Sequence, residues 1–243
     1  TAMEGLHDYQ RTFDRKNGLF ETIGLDIHAA QTQHPFAVRK SLPINMLMGL
    51  KNSLTNRQKN LSDLAKKLSW NYLPKINSNP KGINGFLFFE SKVINYSVNT
   101  LVHKKQKFSV FDLSYSEGAF ITKEDLKGTF LLFKSPVALP VFVLDKEDFK
   151  TALYQWAGFN DINFKKHPDF SKRFHLSGHD HDKIKSLFRS DLIYFFESHP
   201  IFHIESNGKH LLIKGNNRLS GLQEIKIMIT FAKDLVSLLK NQK

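Results

Sequence analysis

Apolar positions along the chain recur with two different periods, and the change of period divides it into segments. Leu61, Leu64, Ala65, Leu68 and Tyr72 follow one another at i, i+3, i+4, i+7 and i+11, one stripe of an amphipathic helix with Lys66 and Lys67 outside it. Thr55-Asn56-Arg57-Gln58 reads as a capping box, in which the Thr hydroxyl takes an orphan amide and the Gln side chain reaches back. The pattern therefore predicts a helix from Thr55 that Pro74 ends. Residues 4–52 fit helical spacing only loosely, through Leu6, Tyr9, Phe13, Phe20 and Ile23, and imply a partly helical extension with a loop around His34-Pro35.

Beyond the loop at Asn77 to Lys81, helical spacing gives way to short apolar runs separated by turn residues. Gly85 to Glu90, Val93 to Val102, Lys107 to Tyr115, Thr129 to Lys134 and Val141 to Leu144 are rich in Phe, Val, Ile or Tyr and read as strands. No helical pattern separates them, which predicts hairpin connections and an antiparallel sheet. Asp145 suits the N-cap of a helix carrying Phe149, Ala152, Leu153 and Trp156, with Gly158 closing it. Phe164 and Arg173 to Leu176 suggest short strands. A helix from about Asp180 then turns Ile184, Leu187, Phe188, Leu192 and Phe195 inward and stops at Pro200. Asn207-Gly208 between two apolar runs predicts a hairpin with a two-residue type I′ turn. Ser220-Gly221-Leu222-Gln223 suggests a second capping box, opening a helix with Leu222, Ile225, Ile229, Ala232, Val236 and Leu239 aligned.

The expected fold class is α+β: a mostly antiparallel sheet of five to seven strands, covered on one face by helices near 55–72, 145–157, 180–197 and 220–240, with a C-terminal β-hairpin followed by a long helix. The expected organisation is an N-terminal extension over 1–54 and a single α+β domain over 55–243.

Composition narrows the function classes. With 41% apolar residues and 22 Phe there is material for a packed core. The absence of Cys removes disulfides, thiolate ligands and Cys nucleophiles. The longest apolar window, Leu42 to Leu50, falls short of a membrane span, and no signal peptide is visible. Thr1-Ala2-Met3 reads as vector-derived residue. With Met3 as the true start the expectation is a soluble, cytoplasmic protein; with Met3 from the vector it includes a membrane segment removed upstream. The net charge of +12 is diffuse: 6 basic against 5 acidic residues over 1–55, 15 against 9 over 56–150 and 14 against 9 over 151–243. Only seven of the 35 basic residues are Arg, among them Arg173, Arg189 and Arg218, whereas bidentate reading of phosphate or guanine favours Arg. The excess reads as a solvated lysine surface, with no specific nucleic-acid site.

Candidate chemistry is sparse. His175, His179, Asp180, His181 and Asp182 form the densest set of metal-ligand types, but a capped helix start there accounts for them better, and no HExxH or HxxEH spacing is present. There is no Gly-x-Ser-x-Gly elbow, no GxxxxGK[ST] loop and no GxGxxG after a strand, so no nucleotide-binding motif and no cofactor is indicated. Asp112, Glu117, Glu124 and Asp125 are carboxylates whose separation the sequence leaves open. Lys104, Lys105, Lys107 and Phe108, and Phe164 with Lys165, Lys166 and Arg173, interleave cations and aromatics as binding surfaces do.

Asp161 to Phe188 reads DINFKKHPDFSKRFHLSGHDHDKIKSLF, an order of parts that resembles the signature D-[IV]-x-F-x-x-[HD]-P-x-F-[SN]-[KR]-[RK]-[FY] of an uncharacterised bacterial family, a domain of unknown function often found beside membrane helices. Gly85 to Phe88, Asn95 and Val110 to Tyr115 occur in the order such proteins show, and the resemblance extends over roughly 57–239. The family has no established activity, so no catalytic residue follows from it. It implies a bacterial interaction or accessory domain with an unknown protein partner or an anionic membrane surface, cytoplasmic or membrane-associated on the cytoplasmic side. The alternatives are a hydrolase-type or metal-dependent enzyme using the region of His175, His179 and His181, and a non-specific nucleic-acid binder. Taken as residues, the signature predicts Phe164, Phe170 and Phe174 as core anchors, Pro168 at a bend and Gly178 as a flexible joint.

Overall fold

A computed structural model describes residues 54–75, 80–105, 107–118, 123–146 and 161–241, all within the unit Asn52–Lys243. The expected helix over 4–52 and residues 147–157 of the one expected near 145–157 lie outside the described residues, but Asp145, expected as that helix's N-cap, stands instead in a strand, where its carboxylate pairs with His203 Nδ1.

The capping box forms as read: Gln58 N donates to Thr55 Oγ1 at 3.2 Å and Thr55 N to Gln58 Oε1 at 2.8 Å, opening α1, Asn56–Leu68. The helix stops short of Tyr72. Ser69 turns left-handed at φ 57, Trp70 N returns to Ala65 O at 2.8 Å, and the chain leaves as edge strand β1, Asn71–Lys75. Pro74 therefore sits where a missing N–H does not interrupt a ladder.

Among the described residues the antiparallel sheet has eight strands, more than the five to seven expected: β1, β2 (Lys92–His103), β3 (Phe108–Glu117), β4 (Glu124–Lys134), β5 (Val141–Lys146), β6 (Phe174–Ser177), β7 (His203–Asn207) and β8 (His210–Lys214), in spatial order β1-β2-β3-β4-β8-β7-β5-β6. Side chains alternate between two cores. Val110, Leu131, Phe133, Leu211 and Ile213 face the helices, while Phe111, Leu113, Phe130, Leu132 and Leu212 face the other way. That second core is closed by Ile83, Phe86 and Phe88. The expected strand at Gly85 to Glu90 is instead an extended approach and a 3-10 turn, Leu87–Phe89, lying on the sheet, because Phe88 N–H donates to the Glu205 carboxylate (2.9 and 3.2 Å) and not to a neighbouring strand.

The signature folds into α2 (Pro168–Arg173) and β6, with Pro168 at the start of the helix, where its missing N–H has no cost, and Phe164 in coil. Phe170 and Phe174 are buried and stacked at 4.9 Å, and Phe164 packs edge-on to Phe170 at 5.7 Å. Gly178 is needed for space more than flexibility: a methyl there would collide with the Ile184 side chain and lie 2.5 Å from Val141 O. The single helix expected over 180–197 is two, α3 (His181–Leu187) and α4 (Ser190–Glu197). Phe188 leaves helical geometry (φ −81, ψ 62) and enters a cluster with Phe142, Phe164, Phe170 and Phe196, which a straight helix could not fill from both Phe188 and Phe196.

The hairpin stands where Asn207-Gly208 placed it, with a different turn. Its last registered pair is Ser206 with Leu211, Gly208 has φ 88 while Asn207 does not have positive φ, and Asn207 Oδ1 accepts from Lys209 N (3.2 Å) and His210 N (2.8 Å). The Asn side chain thus replaces the backbone acceptor of a type I′ turn. The final helix, α5, is Leu222–Asn241, and its N-terminal box is shifted one residue: Gly221 N donates to Glu224 Oε2 at 2.7 Å, because the Ser220 backbone is committed elsewhere.

That commitment is a network on the helical face. Arg57 Nε and Nη2 donate to the two Asp112 oxygens at 2.7 Å each, and Arg57 Nη1 donates to Ser220 O at 2.9 Å. Thr129 donates to Asp112 Oδ1 (2.7 Å) and accepts from Ser220 N (3.0 Å); Asn99, at φ 55 in a bulge of β2, donates to Asp112 Oδ2 (2.8 Å) and accepts from Tyr72 OH (2.9 Å). Arg57→Ala leaves the Asp112 carboxylate buried at 4% exposure and is expected to cost about 3 kcal/mol in chemical denaturation. By contrast Lys66→Ala, which removes an exposed pair with Asp63, should cost under about 0.5 kcal/mol. Equal losses would remove the network from its structural role. Gly178→Ala should lower stability by about 1 to 3 kcal/mol through overpacking, and an unchanged melting temperature would show that the β6–α3 turn yields freely.

Candidate functional site

Two places concentrate charge. On the sheet face away from the helices, Asp145 (β5), His203 and Glu205 (β7) and Lys214 (β8) meet beneath Phe88. His203 Nδ1 donates to Asp145 Oδ2 at 2.8 Å and Nε2 to Glu205 Oε1 at 2.9 Å, with side-chain exposures of 10% for the His, 14% for the Asp and 2% for the Glu. Both ring nitrogens face carboxylates, an arrangement that only the doubly protonated ring satisfies. Burial pushes the imidazole down, yet the hydrogen bonds and charges of Asp145 and Glu205 outweigh it and raise the pKa to about 9. Lys214 is pushed down by burial and donates to Asn217 Oδ1. The Phe88 ring lies 4.6 Å from Lys92 Nζ, 5.3 Å from Lys214 Nζ and 5.5 Å from the His203 ring. Sequence reading missed this cluster; its one signal was His203 and Glu205 at i, i+2 in an expected strand, the spacing that puts two polar groups on one face. Neither of the two clefts below is lined by these residues, and the group is chemically a neutralised structural centre.

The second place is open. Asn163 to His167, the end of α3 and the start of α4 enclose a cleft of about 490 Å³. Its floor is apolar: Phe188 and Ile193 are buried, and Phe164 is half-buried and stacked 6.3 Å from Phe188. Its rim carries the exposed side chains of Lys165, Lys166, Lys185 and Arg189, with His167 Nε2 3.0 Å from Ser190 Oγ. No carboxylate of the described residues lines it. Among those residues the nearest pairing of a rim cation is Arg189 Nη2 with Asp191 Oδ2 at 3.6 Å, too long for a hydrogen bond and with both side chains exposed.

The structure therefore brings Lys165 and Lys166 together with Lys185 and Arg189, which the sequence did not single out as a group. Arg173 is engaged otherwise, its Nη1 donating to Glu197 O at 2.7 Å and its guanidinium lying 5.3 Å over Phe174. Lys104, Lys105 and Lys107 belong to the β2–β3 turn, at least five strand positions away in the sheet from β6; Lys104 lines a separate cleft of about 630 Å³ between α1 and β1 with Trp70, Tyr72 and Leu73. The histidines do not converge. His175 is buried in β6 with Nδ1 3.3 Å from Asp161 Oδ1, His179 is exposed after Gly178, and His181 and Asp182 begin α3, where Asp180 Oδ1 accepts from Lys183 N at 3.1 Å. Among the described residues no three His, Asp or Glu side chains are placed to hold a metal ion. Likewise, no helix among them is long and apolar enough to cross a membrane. Asp112 serves Arg57 in mid-strand, whereas Glu117 and Glu124 face each other as a registered pair at the end of the β3–β4 hairpin, where Glu117 lies 3.1 Å from Lys92 Nζ and Asp125 accepts from Ser116 at 2.6 Å.

No protein-family model matches the chain, and no curated protein matches it. Among solved structures, the crystal structure of the mycobacterial trehalose monomycolate transport factor A, TtfA, is similar over 75% of this chain and 93% of that one, at 12% identity and a TM-score of 0.49. A likeness at that level bears on neither activity nor partner.

His203 predicts a pH dependence. Its folded pKa of about 9 lies above the ordinary 6.5, so its contribution is complete below about pH 6.5, declines as pH rises and is gone above about 9. Wild-type stability should fall across that window by at most about 1.4 kcal/mol per pH unit from this group. His203→Gln should be less stable at neutral pH and lack the slope; parallel loss in both proteins, measured by urea denaturation from pH 6 to pH 10, would assign the titration elsewhere.

Proposed function

We propose that this domain is a non-enzymatic interaction or accessory module that binds an anionic surface, with the cytoplasmic face of a bacterial membrane as the preferred target ahead of a protein partner. The observation that carries this reading is the cleft at 163–193, where four exposed cations converge over an apolar floor with no carboxylate of the described residues in its lining. The net charge of +12 adds a long-range attraction that needs no defined groove. An enzyme would ask for convergent polar groups in an enclosed pocket, and the buried His203 centre has its polar atoms spent on one another.

Co-sedimentation with vesicles tests the reading. The full chain should bind phosphatidylserine-containing vesicles and not neutral phosphatidylcholine ones, with affinity falling steeply from low to near-physiological salt, since each lysine near an anionic surface contributes about 1 kcal/mol. Absence of binding to anionic vesicles at low salt would overturn it. So would a preference of about a hundredfold for one of two unrelated DNA sequences at physiological salt, which marks a dedicated nucleic-acid binder.

A further inference from the structure

We propose that the cleft at 163–193 is a headgroup site for an anionic lipid carrying a phosphomonoester, an inference that rests on the membrane-surface reading above and gives it a location and a ligand. Lys165, Lys166, Lys185 and Arg189 hold the phosphate oxygens, and the His167–Ser190 pair forms one wall.

The chemistry follows from the cation count. A phosphomonoester carries between one and two negative charges at neutral pH and presents three oxygens free of ester bonds, whereas the diester of an ordinary lipid carries one charge and two such oxygens. A single lysine neutralises a diester; a convergent set is needed to favour the monoester. Arg189 contributes a planar fork able to take two oxygens at once, and the three lysines contribute mobile point charges around it. The Asp191 carboxylate competes for it from 3.6 Å away, in an exposed pair that a more highly charged phosphate can displace.

The surroundings of the cleft favour a lipid as the source of that phosphate. Phe188, at 2% exposure, and Ile193, at 1%, offer a ligand little apolar surface, so the cations of the rim are what it meets. Tyr194 stands 60% exposed beside the cleft, 5.2 Å edge-on to the His167 ring, and an amphipathic ring in that position suits the headgroup layer of a bilayer. A nucleic acid would want exposed aromatic faces for stacking, and Phe188 is covered while Phe164 is half-buried. A phosphopeptide would gain from a free strand edge, but the outer edge of β6 is occupied by the Asp161–Ser177 bridge and by Ile162 N donating to Leu176 O at 2.7 Å.

The test uses the full chain, phosphatidylcholine vesicles containing either phosphatidic acid or enough phosphatidylserine to match its surface charge, and near-physiological salt. Wild type should prefer the phosphatidic acid vesicles by about fivefold or more, and Lys185→Glu/Arg189→Glu should lose that preference and about tenfold or more in affinity. Lys104→Glu/Lys105→Glu, the same charge change at the β2–β3 turn, should keep the preference. Lys185→Gln/Arg189→Gln, compared with wild type by thermal melting, repeats the measurement with neutral side chains should the reversal unfold. If wild type binds both vesicles equally and the two reversals weaken binding alike, the headgroup site is wrong while the anionic-surface reading stands. If wild type binds neither vesicle at low salt, both fall. Binding of a phosphoserine peptide or inorganic phosphate at Arg189, seen by NMR without vesicle binding, would replace the lipid by another phosphate source and sink the proposal.

Discussion

The fork between Arg57 and Asp112 is the interaction on which the arrangement of this domain turns. Asp112 lies mid-strand in β3 on the helical face, where an unpaired carboxylate would be prohibitively placed, and every partner that satisfies it comes from a different element. Arg57 comes from α1, Asn99 from β2, Thr129 from β4, and Ser220 from the approach to α5 through Thr129 and Arg57. Hydrophobic burial alone would allow α1 and α5 to slide over an apolar sheet. Directional bonds to one carboxylate fix where each begins.

The same logic holds on the opposite face with reversed signs. There the central group is the His203 cation, held between Asp145 and Glu205, and Glu205 reaches beyond the sheet to the Phe88 amide. One carboxylate thus positions the turn that closes the second core. Both clusters straddle neighbouring strands of an antiparallel sheet whose central strands alternate between two apolar layers, so each also marks the register of its strands.

Periodicity made most of the elements legible: the α1 cap at Thr55, strands β2, β3 and β5, the hairpin at Asn207-Gly208 and the long C-terminal helix lie within a few residues of where local patterns put them, whereas β4 begins at Glu124 and not at the expected Thr129. The misreadings share a cause, which is tertiary override of a locally adequate pattern. Tyr72 fits a helical stripe, yet its hydroxyl is bonded to Asn99 from an edge strand. Gly85 to Glu90 has strand composition, yet a distant glutamate takes its amide. Phe188 fits the inward face of one helix, yet an aromatic pocket formed by four other segments draws it out of helical geometry. The cleft was half legible: Lys165 and Lys166 stood out beside Phe164, but joining them to Lys185 and Arg189 depends on that break, which no local spacing announces.

The basic surface is set by composition, 35 Lys and Arg against 23 Asp and Glu, and the interior largely balances its own charges. Asp112, Asp145 and Glu205 are consumed in balancing Arg57 and His203 inside the fold, and Glu117 is turned to the nearly buried Lys92, whose side chain is 7% exposed. Carboxylates spent on the core are unavailable to the surface, where the lysines remain hydrated. Around Phe188 this imbalance becomes local. The ring turns inward and seals an apolar floor, the next residue, Arg189, departs in extended backbone at φ −73 and ψ 170, and Lys185 precedes it on the exposed rim. The packing demand of one phenylalanine thereby leaves Lys185 and Arg189 on the same exposed rim, where the counter-ion that the described residues supply is the exposed Asp191 carboxylate, 3.6 Å from Arg189.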